Sequence, residues 1–176
     1  MATGEISLAH RREGKGENVK IYIAASWKHQ HAVEMLTSML RDKGHRVLSF
    51  VENNNEDPDC KKAGVKALPF EEWVWSDSGR RSFSYDTTGA MTSDLVIYIG
   101  PSGKDAAAEL GMAYAKCVPI YGLLGKGEDF GLMRRMVDWH YDYRSLLSKV
   151  ELLAQRVDGV PHQCSGAQDC NHSMHR

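Results

Sequence analysis

The stretch from Asp94 to Ala115, reading DLVIYIGPSGKDAAAELGMAYA, constrains the chain more than any other. Leu95 to Ile99 form a near-continuous apolar run, the mark of a parallel strand covered on both faces. Gly100-Pro101-Ser102-Gly103 then ends it, because proline cannot donate a ladder hydrogen bond and glycine permits unusual dihedrals. Ser102 followed three residues later by Asp105 has the form of a helix N-cap with its capping-box partner. Free N–H groups at such a helix start suit an anionic ligand. Ala106, Leu110, Ala113 and Cys117 recur at helical spacing and are expected to face the sheet. Glu109 lies at the border of that stripe, a carboxylate leaning over alanines with space beside it for a ligand.

At 176 residues the chain suits one domain burying about two-thirds of its unfolded surface. A formal net charge of −1 gives no global field to recruit nucleic acid or membranes. No apolar run approaches the ~20 residues of a membrane span, and the first residues lack a signal-peptide apolar core. Four scattered cysteines, at 60, 117, 164 and 170, point to a reducing, cytoplasmic setting.

Residues 1–18 read as a flexible arm, 19–157 as the folded domain and 158–176 as a flexible tail. Val19 to Ala25 reads as the first strand, ending in small residues that let a ligand approach. Ala32, Val33, Leu36, Met39 and Leu40 fit a helical period from Gln30 to Lys43, with Gly44 as its stop. Arg46 to Val51 reads as a second strand. Glu52 to Pro69 is polar and turn-rich, and its Asn53–Asp59 run is expected to be irregular. Helices are expected at Phe70–Trp75 and Arg80–Met91, and a fourth strand at Val118–Leu124. The glycine-rich loop Gly125–Gly131, a helical turn at Leu132–Met136 and a fifth strand at Val137–Tyr141 follow. Asp142 is placed to cap a final helix from Tyr143 to Val157.

Strands alternating with helices imply an α/β fold, a doubly wound parallel five-stranded sheet of flavodoxin-like or Rossmann-like kind, in the order 2-1-3-4-5. Ligands bind there outside the carboxyl ends of strands one and three. Those ends carry Ala24, Ser26, Trp27 and Lys28 on one side, and Gly100, Ser102, Gly103 and Lys104 on the other. Their donors and positive charge favour a nucleotide over a bare nucleoside. Among the acids, Asp94 starts a strand and reads as a structural cap, whereas Asp86 is expected on a helix passing over the crevice. Two carboxylates at a pocket can divide labour, one as nucleophile and one as acid. Trp73, Trp75 and Phe83 read either as core or as a wall against which a base stacks, although Trp73 and Trp75 cannot share a helix face. His162, Cys164, Cys170, His172 and His175 carry metal-binding residue types but match no closed zinc spacing, so neither a metal nor a cofactor is expected.

From Val19 to Leu153 the chain resembles the nucleoside 2-deoxyribosyltransferase-like proteins, including the 2′-deoxynucleoside 5′-monophosphate N-glycosidases. The resemblance rests on Ile21-Tyr22-Ile23-Ala24-Ala25-Ser26, on Asp86 eight residues before Asp94, on Glu109-Leu110-Gly111-Met112-Ala113, and on Val137-Asp138-Trp139-His140-Tyr141. It implies Glu109 as nucleophile at the anomeric carbon of a (deoxy)ribosyl group. Asp86 would protonate the departing base, and Tyr22 would position the nucleophile or the sugar. Water or a second base would resolve the glycosyl-enzyme. It also implies a homodimer in which the Gly125–Gly131 loop reaches the neighbouring site. The chain departs from the pattern at Ala25, where glycine is usual, and at Pro101–Asp105, where the transferases have Asp-x-Gly-Thr; that aspartate has no clear counterpart, and Asp105 is a candidate for its place. A TIR-like NAD hydrolase and a non-catalytic nucleotide sensor are the competing readings. No dinucleotide fingerprint supports the first, and two carboxylates beside an anionic ligand speak against the second.

Overall fold

A computed structural model describes residues 18–56 and 69–157. Five strands, β1 (Lys20–Ala25), β2 (Arg46–Ser49), β3 (Leu95–Ile99), β4 (Ile120–Leu123) and β5 (Asp138–His140), form one sheet. Every neighbouring pair is parallel and the order is β2-β1-β3-β4-β5, the expected doubly wound topology. Among the described residues six α-helices accompany it: α1 (Gln30–Asp42), α2 (Phe50–Glu56), α3 (Phe70–Val74), α4 (Asp77–Thr92), α5 (Lys104–Ala115) and α6 (Tyr143–Val157).

Side-chain alternation along the strands builds two cores. Ile21, Ile23, Leu95, Ile97 and Ile99 point to one face and pack with Val33, Leu36 and Leu40 of α1 and with Leu146, Leu147 and Val150 of α6. Tyr22, Ala24, Val96 and Tyr98 point to the other and pack under Ala90 of α4 and Ala106, Leu110 and Ala113 of α5. Each fully buried Ile or Leu contributes about 1.5–3 kcal/mol of transfer free energy, so the continuous apolar run of β3 is required by its central place. The pairing of Ala25 with Ile99 brings the carboxyl ends of β1 and β3 level.

Several boundaries differ from the sequence reading. β2 stops at Ser49, and Phe50 begins α2, which takes up the Asn53–Glu56 run expected to be irregular. Phe50 and Val51 anchor that helix in the core. Arg41 grips Glu52 through two bonds of 2.7 Å, and Ser82 donates to Asn54 Oδ1 at 2.8 Å. Tertiary partners thus fix a segment whose propensity is poor. Ala32 is exposed, and Thr37 is buried on α1 in its place. Cys117 lies past the end of α5 with φ 56°, not on the stripe facing the sheet. Asp94 acts as expected at a strand start, accepting from Lys20 N at 2.8 Å. Gly44 stops α1 with φ 93°, and Asp142 Oδ1 accepts from Ser145 N at 3.0 Å at the start of α6. Residues 1–17 of the expected arm, 57–68 of the expected loop, and the 158–176 tail with its histidines and cysteines lie outside the described residues. Among the described residues no helix is long and apolar enough to cross a membrane.

Candidate active site

Tyr22, Asp86 and Glu109 come together on the α4/α5 side of the sheet. Tyr22 stands in the middle of β1 and is fully buried. Its ring lies against Gly89 of α4, where an added Cβ would sit 2.5 Å from Tyr22 Cδ2. A glycine in mid-helix costs stability; here it makes room for the ring. Asp86 lies one turn earlier on α4, and Glu109 lies in the second turn of α5, which packs on α4. The Tyr22 hydroxyl lies close enough to both carboxylates for each to raise its pKa. None of these approaches has full hydrogen-bond geometry, so the buried Tyr22 hydroxyl and Asp86 Oδ1 remain unpartnered.

Burial dominates the electrostatics. It pushes the Glu109 carboxyl up to about 8, with the charges of Asp86 and Asp105 adding to the shift and Tyr22 opposing it. Asp86 is raised to about 6, again by burial, with Tyr22 opposing and Asp105 adding. The Tyr22 hydroxyl, desolvated between two acids, is held far above its ordinary range. The two carboxylates titrate as a pair, and near neutral pH that pair holds one proton.

The two loops at the carboxyl ends of β1 and β3 are tied to each other. Ser26 N donates to Ser102 Oγ at 2.8 Å, and Ser102 Oγ donates to Ile99 O at 2.7 Å. His29 Nε2 lies 2.8 Å from Pro101 O. Ser102 therefore does not cap α5. The N-cap is Gly103, with no side-chain bond to the helix, because the Ser102 hydroxyl is engaged by the neighbouring strand ends. Ser26 itself accepts from Lys28 N at 3.3 Å. Lys28 and Lys104 are exposed, and their ammonium groups have no acidic partner among the described residues. Gly103 has open space beside it. Gly100 is buried where β3 ends. Ala24 is buried in the core below the crevice, and Trp27 is half exposed, its ring edge-on to Phe50 at 5.1 Å. Trp73 is partly covered by Phe70, stacked at 6.0 Å. Trp75 and Phe83 are exposed and belong to neither core.

Asp105, in the first turn of α5, places a third negative charge near Asp86 and Glu109. One feature escaped the sequence reading. The glycine-rich loop is pinned by a buried ion pair between Glu128 and Arg134 at 2.7 Å, joined to the hydroxyl of Tyr98. No local spacing signals this pairing, since Glu128 and Arg134 meet only because Tyr98 lies beneath both. Trp139 completes the cluster, edge-on to Tyr98 at 5.8 Å and to Phe130 at 5.2 Å.

No protein-family model and no curated protein matches the sequence. Solved structures do match its fold. A 2-deoxyribosyltransferase from Bacillus psychrosaccharolyticus is 22% identical, with a TM-score of 0.51 over 72% of this chain and 89% of its own. A conserved protein from Enterococcus faecalis V583 is 18% identical, with a TM-score of 0.53 over 77% of this chain and 99% of its own. The Clostridium botulinum CMP N-glycosidase BcmB is 19% identical, covering 75% of this chain and 98% of its own, with a TM-score of 0.48. The chain thus shares the α/β fold of the first two proteins.

Proposed function

We propose that the protein cleaves or exchanges the N-glycosidic bond of a (deoxy)nucleotide or nucleoside, as a member of the nucleoside 2-deoxyribosyltransferase-like proteins. The observation that carries this reading is the convergence of Tyr22, Asp86 and Glu109 on one side of β1. A 2-deoxyribosyltransferase with the same fold supports it.

In the reaction, a Glu109 oxygen attacks the anomeric carbon as the bond from that carbon to the base nitrogen breaks. Asp86 gives its proton to the departing base. Asp86, now ionised, then takes a proton from water as the water oxygen displaces Glu109, or a second base displaces it instead. Burial places the resting proton on Glu109, whereas attack needs it on Asp86. The Tyr22 hydroxyl, close to both carboxylates, positions the nucleophile or the sugar. Lys28, Lys104 and the uncapped start of α5 would meet a 5′-phosphate, and Ala24, Ser26, Trp27, Gly100, Ser102 and Gly103 would shape the crevice around the sugar. The scattered cysteines favour a cytoplasmic enzyme. A homodimer would cover Phe130, Leu132 and Met133, which stand exposed on the β4–β5 connection.

Incubation with deoxy- and ribonucleoside monophosphates, nucleosides and NAD, followed by chromatography of free base, tests the proposal. Base release from one class that disappears in Glu109→Gln is the expected result. Silence across the panel, with and without an acceptor base, overturns it.

A further inference from the structure

The Glu128–Arg134 pair lies beside the turn from which α5, and with it Glu109, sets out. Glu128 accepts from Arg134 Nε at 2.7 Å and from the Tyr98 hydroxyl at 3.0 Å. That hydroxyl accepts from Arg134 Nη2 at 3.2 Å and from the Ser102 backbone N–H at 3.0 Å. Every lone pair and proton of the Tyr98 hydroxyl is thereby used, and the Arg134 guanidinium also stacks 5.1 Å over the Tyr98 ring. Two glycines let the layers touch. A Cβ on Gly100 would collide with Glu128 Oε2, and one on Gly125 with the Gly100 carbonyl.

We infer that Glu128 and Arg134 are positioning residues, which act through the Tyr98 hydroxyl to hold the Ser102 amide and so fix where α5 begins over β1. The inference rests on the proposed role of Glu109. The Glu128 side chain is only 1% exposed and that of Arg134 17%, so Glu128 is sealed from any substrate and its effect must travel through the turn. Ser102 is held from the opposite side by Ser26, so the turn is clamped between the β1 loop and the β4–β5 loop. A buried ion pair adds little net stability over an apolar replacement; here it fixes a geometry. The reacting group benefits, because a displacement of ~1 Å at a nucleophile costs on the order of 100-fold in rate.

Tyr98→Phe tests this most cleanly, since it keeps the ring and the ion pair and removes only the oxygen that accepts from Ser102. Glu128→Gln is the second variant. Three measurements belong together: amide hydrogen exchange at Ser102, the Glu109 titration midpoint by carboxyl NMR, and kcat against KM on the substrate found above. Ser102 exchange is expected to rise at least tenfold in Tyr98→Phe. The Glu109 midpoint should fall toward the ordinary carboxylate range as the helix start loosens and water enters, and kcat should fall about tenfold or more with KM nearly unchanged. Ser102 exchange unchanged in a folded Tyr98→Phe protein overturns the inference, as does faster exchange with Glu109 titration and kcat both unmoved. The first two readouts need no substrate, so they decide the clamp even if the glycosidase reading fails.

Discussion

The proton shared between Asp86 and Glu109 sets the behaviour at the scale of single residues. The active form holds one proton on the pair, so kcat should follow a bell, falling below about pH 6 and above about pH 8. Asp86→Asn should lose the basic limb, because only Glu109 then titrates and its ionised form is the reactive one. Its maximal rate should drop about 10²–10⁴-fold, the usual contribution of a general acid. A stopped assay of base release from pH 5 to 9 checks both. Stability, unlike activity, falls in one direction as pH rises. The folded pKa of Glu109 is raised to about 8, so the stability this group contributes is full below its unfolded pKa and is lost as pH rises through 8. Glu109→Gln removes that loss. The variant should be more stable than wild type at pH 8 by at least about 1 kcal/mol, with the gap closing toward pH 5, as read by urea melts. The three residues proposed to act can be picked out in the sequence by their order along the chain, and the fold brings them together. Their shifted titration cannot, because it comes from helices that meet only in the fold. Ser102 misled for a related reason: the Ser-x-x-Asp pattern is local, whereas its hydroxyl is engaged by Ser26 and Ile99 across the crevice.

Among the elements, α4 and α5 decide the site, and their packing on β1 depends on one missing methyl group. Gly89→Ala brings a Cβ to 2.5 Å from the Tyr22 ring, which is fully buried. The gain in helix propensity, about 1 kcal/mol, is smaller than the cost of overpacking, about 1–3 kcal/mol. The variant is expected to be less stable by up to about 2 kcal/mol and to lose base-release activity, because Tyr22 shifts relative to both carboxylates. Unchanged kcat in a destabilised protein would show that the ring position does not matter to the chemistry. Strongly periodic elements such as α1, β3 and α6 could be read from their apolar spacing. α2 could not: three consecutive asparagines carry no helical signal, and the helix stands on Phe50, Arg41 and Ser82.

For the whole molecule, the strand order was legible because each apolar run alternates with a helical stripe, for which 2-1-3-4-5 is the simplest winding. The crevice at the ends of β1 and β3 follows from that winding. The Tyr98–Glu128–Arg134 cluster was hidden, since a glycine-rich loop looks solvated until the sheet places Tyr98 under it. With Phe130, Leu132 and Met133 exposed on that connection, light scattering is expected to give twice the chain mass of 19.7 kDa. A monomer at all concentrations would remove the loop's proposed role in a neighbouring site.

The central claim is a covalent bond between Glu109 and the sugar. Its most direct test is intact-mass spectrometry, with peptide mapping, after reaction with a substrate fluorinated at C2 of the sugar to slow release of the intermediate. A mass increase of one glycosyl group is expected, located on Glu109 and missing in Glu109→Gln. Base release that continues in Glu109→Gln, with no adduct in the wild type, would contradict it.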